Sequence, residues 1–299
     1  MSTVQRPFTS TDASIAMKEA CRLVGLESDG AQLIRLGENA IYRLAGEPVI
    51  VRVARGESVL HDVEKEVAVA SWLQGSGVPA AELTDHVQPI LAKGRPVTFW
   101  RLIPDSGERA TLAELGGILR QLHRLPVPED LPLPTFDIFG RASRRIVDTT
   151  ELSDSEREFL SGRLTELREA YGHLNFSLPS CAIHADAHQA NLIRTPDGTV
   201  ILIDFEAFAF GPPEYDLSVT ATEQTVGWHT EAQYESFAES YGFDVKRWDG
   251  FEVIRAINEL KMTTWLMQNV RENKRIADEF RVRLESLNDM AAPRTWSPF

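Results

Sequence analysis

The stretch CAIHADAHQANLI, residues 181–193, puts His184, Asp186, His188 and Asn191 within eight positions, directly after an apolar run. Three readings fit such a box. If the run continues as an extended strand, His184, Asp186 and His188 alternate onto one face and, with Asp204, form the ligand set of a metal-dependent hydrolase. If it leaves the strand as a loop, Asp186 is a candidate proton acceptor. The third reading is structural, with polar side chains that end a strand and satisfy a turn. The flanking sequence separates the three.

LIRT (192–195) and TVILID (199–204) flank Pro196-Asp197-Gly198 and predict a β-hairpin. A two-residue Asp197-Gly198 turn pairs Asn191 with Asp204 across the ribbon. A three-residue loop with a bulge at Gly198 shifts the pairing by one. In either register Asn191 and Asp204 stand at the same open end. An amide oxygen and a carboxylate are donors for a hard cation, and magnesium is favoured where phosphates complete its shell.

Composition narrows the class. The 299 residues are enough for two domains, and 43% hydrophobic with 25% charged residues is ordinary for a soluble globular chain. There is no apolar run long enough to span a bilayer and no secretory signal in MSTVQRPFTSTDASIAMKEA, so a cytoplasmic protein is expected, with no membrane partner. Cys21 and Cys181 are the only cysteines, which suits a reducing compartment and argues against a disulfide framework or a zinc–thiolate site. A net charge of −13 argues against nucleic acid as a partner. The segment from Glu206 to Asp244 holds eight carboxylates and no Lys or Arg. It is either a solvated helical surface or a field that attracts a cationic small molecule, with Glu223, Glu231 and Glu235 as candidate contacts.

The coarse pattern is α+β. A helix is predicted over residues 12–25, capped by Ser10 or Thr11 and facing inward with Ile15, Ala16, Ala20, Leu23 and Val24. AQLIRL, AIYRLA and VIVRVA then read as three antiparallel strands punctuated by Gly37 and Gly46. Residues 58–74 read as a helix, ELTDHV and PVTFWRLI as two further strands. Beyond Gly107 the pattern turns helical, with an amphipathic helix in TLAELGGILRQLHRL, a Pro-rich loop over 126–134, a long helix near 153–172, and several helices from Tyr215 to Asn288. The expected division is an N-terminal lobe, 1–103, and a C-terminal lobe, 104–299.

IHADAHQANLI followed by LIDFE resembles the aminoglycoside phosphotransferase and choline kinase family, small-molecule relatives of the protein kinases. The correspondence runs in order along the chain. RLGENAIYRL resembles the loop and strands over ATP, VIVRVAR the third strand, VEKEVAVASWL the helix with the paired Glu, FWRLIPDSG the hinge, and Gly211–Leu217 the segment ending in a structural Asp, here Asp216. The thirteen-residue gap from Asn191 to Asp204 is also kinase-like. The resemblance implies a two-lobed kinase-like fold, a nucleotide cofactor (ATP or GTP) with Mg2+, and phosphoryl transfer to a hydroxyl, a reaction that mostly needs positioning and charge neutralisation.

On that resemblance Asp186 orients the attacking hydroxyl and accepts its proton, and Asn191 and Asp204 hold magnesium. Arg52, anchored by Glu66, reaches the phosphates. The backbone of Gly37, Glu38 and Asn39 covers them, and the hinge backbone of Trp100, Arg101, Leu102 and Ile103 bonds the adenine edge. His188 and Glu206 are expected toward the acceptor, and His184 is structural. Four positions depart from these patterns. Arg52 stands where protein kinases have Lys, Gly37 is the only glycine of the phosphate loop, Ala185 replaces the family's usual Gly, and Glu206 replaces the Gly of protein kinases. A guanidinium keeps its charge and forks onto phosphate, so the first departure is compatible with activity. The expected acceptor is a small, cationic, hydroxylated molecule such as an aminoglycoside or another antibiotic, in a resistance or self-protection role. Choline-like amines, amino alcohols and sugars are the alternatives. A monomer or homodimer is expected. The rival classes are the metal hydrolase and a nucleotide-binding module without catalysis. Trp228, Tyr234 and Trp265 are expected to pack in the core.

Overall fold

The computed structural model describes residues 8–271, 273–289 and 292–299. The first seven residues, which open the stretch read for a secretory leader, lie outside them. The elements run α1 (Ser10–Val24), β1 (Gln32–Leu36), β2 (Asn39–Arg43), β3 (Val49–Ala54), α2 (Leu60–Leu73), β4 (Ile90–Ala92), β5 (Arg95–Arg101), α3 (Leu112–Leu122), α4 (Gly140–Asp148) and α5 (Asp154–Gly172). They continue with β6 (Cys181–Ile183), β7 (Leu192–Arg194), β8 (Val200–Leu202), β9 (Ala209–Gly211), α6 (Glu214–Thr225), α7 (Glu231–Tyr241), α8 (Phe251–Leu266) and α9 (Lys274–Asn288). No helix among the described residues is long and apolar enough to cross a membrane. Two compact units form. One is drawn from Met1–Ala110, Val127–Leu133 and Ala190–Phe208, and the other from Thr111–Pro126, Pro134–Gln189 and Ala209–Phe299.

The first unit is built on an antiparallel sheet in the order β1-β2-β3-β5-β4. β3 alternates, with Val49, Val51 and Val53 buried in the core beside Phe99 and the small residues of α1, so Ile50 and Arg52 emerge on the other face. The inward stripe of α1 is Ala13, Ala16, Met17, Ala20 and Cys21, whereas Ile15 and Leu23, expected inside, are half exposed at 50% and 52%. Ala16 and Ala20 are buried as expected and Val24 packs against the core, but the stripe is centred on small side chains, so the bulky Ile15 and Leu23 fall outside it. Thr9, rather than Ser10 or Thr11, caps this helix, its hydroxyl accepting from the Asp12 N–H at 3.1 Å.

ELTDHV is not a strand. It meets the sheet only at an isolated Leu83–Trp100 bridge, and the edge strand is β4. A two-residue Lys93-Gly94 turn joins β4 to β5, both residues in the left-handed region (φ 51° and 72°), as tight hairpins demand. The β7–β8 ribbon settles in the shifted register, Leu192 opposite Leu202 and Arg194 opposite Val200. Asn191 therefore faces Ile203, whose N–H donates to the Asn191 carbonyl at 3.0 Å, and not Asp204. The cause is the three-residue loop, with Gly198 at φ 89° and the Asp197 carboxylate accepting from the Thr199 N–H. The ribbon is tied to the rest of this unit where Ala81 N–H meets Leu202 O (2.8 Å) and Ser106 N–H meets Arg194 O (2.8 Å).

The second unit is mainly helical, with β6 and β9 forming a short antiparallel pair. α3 and α5 begin with full capping boxes, Thr111 with Glu114 and Ser153 with Glu156. α4 was not predicted. Its start is marked by Asp137, whose carboxylate accepts from the N–H groups of Phe139 and Gly140 at 3.0 Å each. α6 is buried nearly all round, and Asn258 on α8 donates to Ser218 at 2.9 Å and Thr222 at 3.3 Å. The Gly116-Gly117 pair in α3 is resolved by packing, since a Cβ on Gly116 would lie 2.4 Å from the Phe237 carbonyl oxygen of α7. Gly117 has open space on that side. Gly116→Ala should therefore lower stability by about 1–3 kcal/mol through overpacking. Gly117→Ala should raise it by up to about 1 kcal/mol through helix propensity. Thermal unfolding of the two variants checks the opposite signs.

Candidate active site

The candidate site residues of the loop start where β6 stops. Asp216, fully buried near the start of α6, accepts two backbone N–H groups, from His184 at 2.7 Å and from Ala185 at 2.8 Å. His123 Nε2 lies 3.1 Å from Asp216 Oδ2, and His123 Nδ1 lies 3.0 Å from the Tyr241 hydroxyl. This clamp holds Ala185 in the left-handed region at φ 62°, where a residue with a Cβ costs about 1 kcal/mol. Asp186 follows with its side chain 48% exposed, and His188 Nε2 stands 3.8 Å from Asp186 Oδ2. His184 is completely buried.

The alternation required by the hydrolase reading is thus absent. β6 ends at Ile183, the backbone turns at Ala185, and His184 points into the interior while Asp186 and His188 meet solvent. Among the described residues no group of three or more His, Cys, Asp or Glu side chains is placed to hold a metal ion.

In the first unit, β3 and α2 bring Arg52 and Glu66 together. The Arg52 guanidinium bonds Glu66 through Nη1 and Glu206 Oε2 through Nη2 at 2.9 Å. With its amide turned to suit these donors, Asn39 also accepts from Arg52 Nη2 (2.7 Å) and Nε (3.1 Å). Glu66 is buried and Arg52 nearly so, so this is not a surface salt bridge. Burial pushes the Glu66 carboxyl up to about 7, against the pull of Arg52 and with the push of the Asp204 and Glu206 carboxylates. The same three carboxylates offset the burial of Arg52 and hold its guanidinium charged. Asp204 therefore belongs to the electrostatic neighbourhood of Arg52. Its backbone at φ 68° takes it off the alternation of β8, and Phe205 behind it is fully buried against Trp100 (ring centroids 5.9 Å) and Phe208 (5.5 Å). Lys65, next to Glu66, donates to the carbonyls of Glu206 (2.6 Å) and Phe208 (3.3 Å), pinning the segment after Asp204.

Several expected groups have other work. Asn39 braces Arg52 with its side chain. Gly37 and Glu38 form a two-residue turn closed by Gly37 N–H to Asn39 O at 3.0 Å, in place of a glycine-rich loop. Arg101 N–H donates to Glu82 O (2.9 Å) and Leu102 N–H to Pro48 O (2.8 Å), so those two hinge donors are spent within the protein. Trp100 is buried, and its indole N–H goes to Thr98. Glu206 sits on Arg52. In the acidic run, Glu214 accepts the N–H groups of Ser177 and Leu178 at 2.7 Å each. Glu223 lies 3.0 Å from His229, Glu231 is paired with Lys246 at 3.0 Å, and Asp244 accepts from Tyr234 at 2.6 Å. Glu235 is exposed. Tyr234 is buried as expected, whereas Trp265 is 39% exposed.

The sequence reading missed Lys261 of α8. Its ammonium bonds the Tyr215 hydroxyl and lies over two rings, 4.2 Å from the centroid of Tyr215 and 5.8 Å from that of Phe136. Burial pushes this amine down to about 7. The Asp186 carboxylate opposes that shift, and Arg141 and Arg145 add to it. The available signal was Lys261 as the one basic residue of INELKMTTWL, residues 257–266. His123 and Tyr241 were missed as well, because nothing local ties them to Asp216.

Two outcomes follow. Arg52→Lys removes the planar fork that serves Glu66, Glu206 and Asn39 together, and should cost about 1–3 kcal/mol of stability and weaken the thermal shift given by Mg-ATP. For Lys261 the unfolded chain, titrating near 10.5, binds the extra proton between pH 7 and 10.5, so folding stability should gain with rising pH across that window. Lys261→Met should flatten the gain. Melting temperatures of both proteins from pH 7 to 10 test the sign.

Comparison with known proteins places these groups in a common frame. No curated protein matches the sequence. Among solved structures, amicoumacin kinase hAmiN in complex with AMP-PNP, Ca2+ and Ami is similar at TM-score 0.71, with 14% identity and 91% of each chain covered. A microcompartment-associated aminopropanol kinase is similar at 0.70, with 20% identity over 93% of this chain and 95% of that one. A choline/ethanolamine kinase family protein from Mesorhizobium loti is similar at 0.62, with 18% identity and 96% of each chain covered. At these identities the likeness establishes the fold, the α+β kinase-like arrangement of an antiparallel sheet and a helical portion. The model of the phosphotransferase enzyme family matches residues 32–251, from β1 to the start of α8, and the chain belongs to that family.

Proposed function

We propose that this phosphotransferase moves the γ-phosphoryl group of ATP to a hydroxyl of a small molecule. The observation that carries the reading is the buried Arg52–Glu66 pair, shared with Glu206 and Asn39 and lying within the field of Asp204. A guanidinium held by the buried Glu66 and by the partly exposed Glu206 is fixed in direction and keeps its charge, as a phosphate anchor requires. GTP offers Arg52 the same phosphates.

Asn191 and Asp204 supply an amide oxygen and a carboxylate, hard donors that suit Mg2+ carried in by the nucleotide. Bound there, magnesium would neutralise charge building on the β and γ phosphates. Asp186 does the proton work. It orients the acceptor hydroxyl, and as the hydroxyl oxygen bonds to the γ phosphorus it takes the proton, while the β–γ bridging oxygen leaves with the bonding pair on ADP. His188, 3.8 Å from Asp186, is beyond hydrogen-bond reach of it and would steer the acceptor. At the adenine edge, Ile103 N–H and the hinge carbonyls serve, since the Arg101 and Leu102 donors are used. The two unbridged, buried cysteines suit a reducing cytoplasm.

The acidic run supported a cationic antibiotic as acceptor. With Glu214, Glu223, Glu231 and Asp244 all partnered locally, that support is largely withdrawn, and a hydroxylated metabolite becomes the better reading. Asp186→Asn should lower kcat about 10²–10⁴-fold while keeping the thermal shift given by Mg-ATP. ADP release measured across amino alcohols, sugars and hydroxy acids provides the test. An Asp186→Asn enzyme turning over at the wild-type rate removes the reading.

A further inference from the structure

Within the second unit, three basic side chains share the surroundings of Tyr215 with Asp186, the residue that the phosphoryl-transfer reading turns to the acceptor. Lys261 comes from α8. Arg141 and Arg145 lie one turn apart on α4, which packs on α8. The charges of both arginines and of Asp186 reach the Lys261 amine and the Tyr215 hydroxyl. The wall behind is aromatic, with the Phe136 and Tyr215 ring centroids 4.3 Å apart.

Two of these groups, Lys261 and Arg141, have no acidic side chain bonded to them among the described residues. The hydrogen bond of Lys261 goes to a neutral phenol, and Arg141 is exposed. Asp216, the other acid whose charge reaches Lys261, is occupied by the N–H groups of His184 and Ala185 and by His123. Burying an amine without an anionic partner is costly, and structures that keep such a group have a use for it. A cationic acceptor brought here would meet like charges, and an acidic one would complete the ion pairs.

We propose that the acceptor carries an acidic group, a carboxylate or a phosphate, which Lys261 and Arg141 hold with Arg145 adding charge, while its hydroxyl is presented to Asp186. The inference rests on the phosphotransferase reading for the role of the hydroxyl, but not for the binding of the acid. A guanidinium and an ammonium give charge-assisted bonds to either anion. The Tyr215 and Phe136 rings form the apolar side of the seat.

The test uses matched pairs that differ by the acidic group: glycerate against glycerol, gluconate against glucose, L-serine against ethanolamine. Glycerol 3-phosphate against glycerate separates phosphate from carboxylate. Thermal shift without nucleotide reads binding, and ADP release with Mg-ATP reads transfer. At least one acid should shift the wild-type protein where its neutral or cationic partner does not, and should be turned over with kcat/KM about tenfold or more above that partner. Lys261→Met and, separately, Arg141→Gln should each raise the KM for that acid about tenfold, the size of one lost charge-assisted bond. The shift given by Mg-ATP alone should stay. Arg141 is exposed, so its variant decides if Lys261→Met does not fold. If no acid is preferred, or ethanolamine and choline bind better and ignore both variants, the inference falls while phosphoryl transfer stands. If an acid binds through Lys261 and Arg141 but no phosphate moves, the acidic seat stands and the phosphoryl-transfer reading fails.

Discussion

One buried carboxylate sets the chemistry of the second unit. Asp216 has no exposure, and its two oxygens take the N–H groups of His184 and Ala185. Those bonds do what a longer strand could not. They end β6 and hold an alanine in a left-handed backbone that favours glycine, and so Asp186 comes out with its carboxylate facing solvent. The His123–Tyr241 pair closes the remaining side of Asp216, so a loop residue inherits the rigidity of three helices, α3, α6 and α7. Without that carboxylate the two N–H groups would be buried and unmatched, and the loop would have no reason to keep its shape.

The first unit solves a parallel problem with opposite polarity. A guanidinium emerges from the face of β3 opposite the core and is surrounded by acceptors from three places, Asn39 on β2, Glu66 on α2 and Glu206 beyond β8. Each acceptor removes a direction in which Arg52 could swing. Glu66 is almost fully buried, and burial pushes its carboxyl up to about 7. Lys65 works on the backbone of the segment that follows Asp204, so neighbouring residues of one helix fix both the Arg52 guanidinium and the chain that carries Asp204.

Charge counted along the chain misled where charge counted in space did not. The run from Glu206 to Asp244 reads as a negative field, yet its members cap helices, hold loop backbone and pair with His229 and Lys246. Two basic groups without a bonded carboxylate sit elsewhere, Arg141 on α4 and Lys261 on α8. A carboxylate with a local partner contributes little at a distance, whereas a cation on an aromatic wall keeps its field.

The sequence by itself determined the family and most of the order of the elements, because the motifs that carry them are short, local and spaced by the backbone. Asp186, Asn191, Asp204, Arg52 and Glu66 stood out as candidates in the same way. Period and punctuation also found most strands and helices, and erred where the signal was small side chains, as in α1, or a tight turn, as at Lys93-Gly94. Tertiary structure alone decided the ribbon register, the face of α1, the brace of His123 on Asp216, and the meeting of Lys261 with Tyr215 and the charges of α4. Each of these depends on residues distant in sequence competing for the same donor, cavity or charge, and a linear pattern carries no record of that competition.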